Sequence, residues 1–119
     1  MAALSPSVLV EQARSRAGQS VVRSSTDTDA VDGIHPSVVV EPLTTDDVVA
    51  TLAWASTERL KVMVVGGRTK QAWGAPATTI DLMLSTARLN RVVEHRHGDL
   101  TATVEAGATL ASANTELAR

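Results

Sequence analysis

The chain has 119 residues, with 11 Lys plus Arg against 13 Asp plus Glu, a formal charge of −2, two Trp and no Phe, Tyr or Cys. At roughly 100–200 residues per domain this length allows one domain, and with no basic tail or stripe, counterion-releasing contacts to nucleic acid are not expected. The lack of cysteine excludes a disulfide framework, a thiolate zinc site, an iron–sulfur cluster and a cysteine nucleophile, and fits a reducing compartment.

Residues 1–18 lack a cationic start followed by an apolar run, because Ser5, Pro6, Ser7, Glu11 and Gln12 interrupt it. They read as neither signal peptide nor membrane span, and the runs Val38 to Val40 and Val62 to Val65 fall far short of the roughly 20 residues a bilayer requires. A soluble cytoplasmic protein is expected. Ser5 followed by Pro6 predicts a capped helix that stops at Gly18. Ser20 to Arg23 is a brief β-prone run, and Ser24 to Gly33 is polar, acidic and rich in turn formers. Its Asp27, Asp29 and Asp32 lack the spacing of a calcium loop and are expected to be solvated.

Pro36 and Pro42 bracket the β-branched run Val38-Val39-Val40, which predicts a short buried strand. Thr44 or Thr45 then caps a helix with Asp46 and Asp47 in its first turn and Val49, Leu52, Ala53, Ser56 and Leu60 on one face. Trp54 points away from that stripe, either partly exposed or covered by a partner. Val62 to Val65 predicts a second buried strand, completing a βαβ unit. Thr78 to Leu84 reads as a strand and Ser85 to Asn90 as a turn. Arg91 to His95 and Thr101 to Glu105 form a hairpin about His97-Gly98-Asp99, and residues 109–119 form a closing helix. The fold class is α+β with three helices, divided into 1–34, an N-terminal helix and acidic loop, and 35–119, the main domain.

The segment richest in chemistry is Val65-Gly66-Gly67-Arg68-Thr69-Lys70-Gln71-Ala72-Trp73-Gly74. A strand running into two glycines lets backbone approach a ligand, and successive N–H groups in such a turn form an anion-binding nest. Arg68 and Lys70 add positive charge and Thr69 a hydroxyl, which together point to phosphate or pyrophosphate. Taken alone, a Gly-Gly turn is more often just a turn. The phosphate-loop pattern of nucleotide hydrolases and the Rossmann pattern are both absent from the sequence. His95 and His97 alternate along a strand and offer two imidazoles to a metal, but without a third close ligand except Asp99 they read as turn residues.

Val39-Val40-Glu41-Pro42, the Thr45-Asp46-Asp47-Val48 helix start, Gly66 to Lys70 with Trp73-Gly74, Ile80-Asp81-Leu82, Ser85 to Asn90 and Val104-Glu105-Ala106-Gly107 occur in an order that resembles the start of a PCMH-type FAD-binding domain, the vanillyl-alcohol oxidase / p-cresol methylhydroxylase family. Within it the chain is most similar to the FAD-binding subunit of glycolate oxidase and related FAD-linked oxidases. The resemblance spans residues 35–119 and implies an N-terminal α/β lobe of that domain. It further implies that Gly66, Gly67, Arg68, Thr69 and Lys70 wrap the FAD pyrophosphate, in a protein acting on a 2-hydroxy acid such as glycolate. Thr69 stands where members with covalently attached flavin have histidine, so FAD is expected to be held non-covalently. Arg68 stands where the family usually has a further glycine, and its side chain either crowds the pyrophosphate or neutralises it.

The family continues into further FAD contacts and a substrate domain, so the chain reads as truncated at Arg119, with no catalytic residue to name and little independent turnover expected. The competing reading is a non-enzymatic remnant, or an interaction module that pairs with a separately encoded remainder or oxidase subunit. A third, a small nucleotide-phosphate binder unrelated to flavins, rests on Arg68 and Lys70 alone.

Overall fold

A computed structural model describes residues 4–119, which form three α-helices and six β-strands. Helix α1 (Pro6–Arg16) begins where Ser5 Oγ accepts a hydrogen bond from the Val8 N–H and Pro6 occupies the first turn. It ends before Gly18, whose φ of +65° turns the chain back. Strand β1 (Val21–Ser24) and a 3-10 turn (Asp27–Asp29) lead to β2 (Val38–Glu41), and α2 (Thr45–Thr57) follows behind a reciprocal capping box between Thr44 and Asp47. Strands β3 (Val62–Val65) and β4 (Leu82–Ser85) complete the first sheet. A hairpin of β5 (Val92–Arg96) and β6 (Thr101–Val104) and the helix α3 (Leu110–Leu117), capped by Thr109, close the chain.

The first sheet has the order β1-β2-β4-β3. Strand β1 runs antiparallel to β2, whereas β2, β4 and β3 are parallel, with Val38 and Val62 both opposite Leu82. The βαβ unit expected from the sequence is present, but β4 lies between its two strands. Because a crossover need only return to the same sheet, strand order along the chain does not settle adjacency. This insertion places β3 at an edge, and Val64 is 56% exposed there rather than buried as expected. Strand β4 also starts later than Thr78: the Asp81 N–H donates to the Lys61 carbonyl and its carboxylate accepts from the Lys61 N–H, so these residues join β3 to β4 outside the ladder.

Each face of this sheet carries its own apolar cluster. On one, Val38, Val40 and Leu82 pack against Leu9 and Ala13 of α1 and Trp54 and Ala55 of α2. On the other, Val39, Met83 and Val65 pack against Val31 and Met63. Period-two alternation along β2 and β4 thus supplies both cores. The expected inward face of α2 is corrected by this packing. Val49 and Leu52 are exposed, while Asp47, Thr51, Trp54 and Ala55 are buried. Trp54 is 1% exposed, and its indole N–H donates to Gln12 Oε1 at 3.3 Å. The helix turns this face inward because Asp47 is anchored there, accepting from the Gln19, Leu43 and Thr44 N–H groups. The hydrogen bond from Gln19, followed by those from Leu43 and Thr44, holds its pKa below the ordinary carboxylate value against the effect of burial.

The hairpin forms where expected, with α3 packed beside β5. Gly107 makes the connection: its N–H donates to the Leu89 carbonyl at 2.7 Å, and any Cβ at this position would overlap the Thr86 carbonyl.

Candidate functional site

The parallel strands β2, β4 and β3 end at the same edge of the sheet, the position at which open α/β sheets bind ligands. There β3 runs out through Val65 into Gly66 and Gly67, while Thr86, just past the end of β4, ties the two ends together. The Thr86 N–H and hydroxyl both donate to the Val65 carbonyl, at 2.9 and 3.3 Å. Neither glycine adopts positive φ. A Cβ on Gly67 would meet no atom within 4 Å, and one on Gly66 only the Thr86 Oγ1 at an ordinary 3.6 Å. Backbone conformation and internal packing therefore give no reason for the pair, whereas a ligand lying against the loop does.

The N–H groups agree with that reading. Among the described residues, none of the N–H groups of Gly66, Gly67, Arg68 and Thr69 donates to an oxygen of the chain. Four successive free donors at a strand end are the parts of an anion nest. Thr69 and Lys70 are exposed beside them, with the Lys70 Nζ 4.9 Å from the centre of the Trp73 ring, itself 79% exposed.

Arg68 is placed differently from its neighbours. Its φ is +62°, left-handed for a residue with a Cβ, and its guanidinium turns back to donate to Asp29 Oδ1 at 2.8 Å and to the Thr28 carbonyl at 3.4 Å. Arg68 and Thr69 face Thr28 to Asp32 across a cleft of about 270 Å³. Asp29 is the correction here to the expected solvated acidic loop. Asp27 and Asp32 are exposed, but Asp29 is 1% exposed. Its carboxylate accepts two hydrogen bonds from Arg23, at 2.7 and 2.8 Å, one from Arg68, and two from the Thr26 N–H and hydroxyl. The Arg23 pairing, ahead of the Thr26 and Arg68 hydrogen bonds, holds its pKa far below the usual carboxylate range despite desolvation. Val31 carries the acidic segment to this place by packing on the Val39, Val65 and Met83 cluster.

Sequence reasoning found the glycine loop and missed Arg23, Asp29 and Thr86. The β-branched Val31, two residues after Asp29, was the available signal that the loop folds back on the sheet. His95 and His97 lie at the hairpin turn with ring centres 3.9 Å apart, away from the glycine loop in sequence. No group of three or more metal-binding side chains occurs among the described residues, nor does a helix long and apolar enough to cross a membrane.

Residues 36–119 match the family model described as "FAD binding domain". The chain belongs to that family. FAD is accordingly its cofactor, and the glycine loop leaves its backbone N–H donors free and its Cβ positions open. A D-2-hydroxyglutarate dehydrogenase from Xanthomonas citri pv. viticola is 36% identical over 76 residues, covering 64% of this FAD-binding chain and 16% of the relative. Among solved structures, alkyldihydroxyacetonephosphate synthase superposes with a TM-score of 0.63 at 18% identity, over 71% of this chain and 17% of the other. The structure of p-cresol methylhydroxylase with substrate bound gives 0.61 at 20% identity, over 70% of this chain and 16% of the other. Both likenesses establish the PCMH-type fold. The FAD-binding chain spans about one sixth of the length of these relatives.

Proposed function

We propose that this chain is the pyrophosphate-binding part of an FAD-linked oxidoreductase acting on a 2-hydroxy acid such as glycolate, with FAD held non-covalently by Gly66, Gly67, Arg68, Thr69 and Lys70. The observation that carries this reading is the run of four N–H donors from Gly66 to Thr69 that the chain itself leaves free, beside glycines whose Cβ positions are open. Backbone donors stabilise the diphosphate, Lys70 adds a charge at the loop's exposed end, and Arg68 contributes through its backbone, its guanidinium being engaged by Asp29. Thr69, with a hydroxyl that does not attack the flavin ring, supports a dissociable cofactor. Redox chemistry, when FAD is bound, is the flavin's. The substrate class is supported by the name of the D-2-hydroxyglutarate dehydrogenase relative, since 2-hydroxyglutarate is a 2-hydroxy acid.

Calorimetric titration of the chain with FAD, alongside Gly67→Val, tests the loop. A valine at position 67 has room in the fold, so circular dichroism and melting should be unchanged. Saturable binding by the native chain, weakened at least about tenfold in the variant, is the expected outcome. Equal affinities would remove the loop from the site.

A second reading is favoured by the exposed apolar side chains Val49, Leu52, Val64, Val93 and Val104. In it, the chain acts as an interaction module whose cofactor affinity requires a separately encoded remainder or oxidase subunit covering those side chains. A folded chain that binds FAD only after such a subunit is added would establish it.

A further inference from the structure

We propose that Asp29 is a positioning residue for the glycine loop: its buried carboxylate, clamped by Arg23, holds Arg68 in the left-handed conformation in which the N–H groups of residues 66–69 stay free of bonds within the chain. The proposal rests on the reading of that loop as the FAD site.

A residue with a Cβ enters the left-handed region against steric resistance and stays there when its surroundings over-determine it. At position 68 the backbone itself is little restrained, whereas the side chain is largely covered. Gly67 and Thr69 are exposed, Gly67 has no neighbour around its Cα face, and the N–H groups of residues 66–69 make no bond within the described chain. What remains is the guanidinium of Arg68 on Asp29 Oδ1 at 2.8 Å, supported by the Thr28 carbonyl, a link across 39 residues of sequence. The other end of that link is rigid. Asp29 is fixed by both Nη atoms of Arg23 on β1 and by the N–H and hydroxyl of Thr26, with none of its side chain exposed. Arg68 is thus tied to the first sheet strand through a carboxylate that has no freedom to follow a moving loop. The Arg23–Asp29 pair lies before residue 36, outside the stretch that matches the family model. The N-terminal segment therefore sets the geometry of a site located in the domain proper.

Replacing Arg68 in two ways separates positioning from contact. Arg68→Ala removes the link and keeps a Cβ in the strained conformation. Arg68→Gly removes the same guanidinium and restores access to positive φ. FAD affinity measured by calorimetry should fall at least about tenfold in Arg68→Ala and stay within about threefold of the native chain in Arg68→Gly. Asp29→Asn should weaken binding like Arg68→Ala, and adding Arg68→Gly to it should recover affinity, which general damage to the fold would not permit. Equal losses in Arg68→Ala and Arg68→Gly would overturn the proposal in favour of a direct guanidinium contact, and no loss in either would overturn it outright. Arg68→Ala leaves the Arg23–Asp29 pair intact and decides the matter should Asp29→Asn fail to fold. If the folded native chain binds no FAD, the functional reading fails by itself, and amide hydrogen exchange decides the positioning: faster exchange at residues 66–70 in Arg68→Ala, with β2 and β4 unchanged, supports it, and unchanged exchange in the loop overturns it.

Discussion

Asp29 is wholly buried and still ionised, because five donors from Arg23, Thr26 and Arg68 replace the water it has lost. Its folded pKa lies below the unfolded value of about 3.9, so protonation favours the unfolded chain. The stability it contributes is complete above that unfolded value and is lost as the pH falls toward the folded one. Asp47 acts in the same direction. Urea denaturation at a series of pH values should show stability decreasing below about pH 4, with a shallower decline in Asp29→Asn. At neutral pH that variant should be less stable by about 3 kcal/mol, since two arginines lose their shared anion. An acidic loop with three aspartates reads as solvated because nothing in its spacing singles out Asp29. Its partners lie 6 residues before it and 39 after it in the chain, joined only once the sheet has formed.

Helix α2 shows how the same limit operates on an element. Its existence and its start were legible, because Thr44 and Asp47 form a reciprocal cap that local sequence encodes. Its inward face was not. The apolar stripe through Val49 and Leu52 is the more hydrophobic one in the sequence, yet the buried stripe contains Asp47 and Thr51 together with Trp54 and Ala55. Those polar groups are satisfied, the Thr51 hydroxyl by the Asp47 carbonyl and the Asp47 carboxylate by the nearby Leu43 and Thr44 N–H groups and the distant Gln19 N–H, so their burial costs little. Trp54→Ala should cost about 4 kcal/mol in chemical denaturation, whereas Val49→Lys should stay within about 0.5 kcal/mol of the native chain. The reverse result would restore the stripe read from periodicity.

Across the whole molecule, which extends 55 × 29 × 20 Å, burial is uneven. The first sheet has a cluster on each face, while β6 is exposed throughout and β5 nearly so, and α3 buries only Ala113. A two-stranded hairpin without a core is marginal in water. Native-state hydrogen exchange should therefore find residues 92–104 opening at a much lower free energy than β2 and β4, with the hairpin held mainly by Gly107 against Thr86 and Leu89. Protection equal to that of β2 would mean that the hairpin belongs to the same cooperative unit.

The sequence by itself determined the elements, the family and the place of the glycine loop, because caps, prolines, β-branched runs and a strand ending in Gly66-Gly67 are local signals that act on their own few residues. Tertiary structure alone decided that β4 enters between β2 and β3, that α2 turns Trp54 inward, and that Arg68 gives its charge to Asp29. Each of these is a pairing between segments far apart in the chain. Such pairings are selected by the summed burial and hydrogen bonding of the finished fold, to which no short stretch of sequence carries the key.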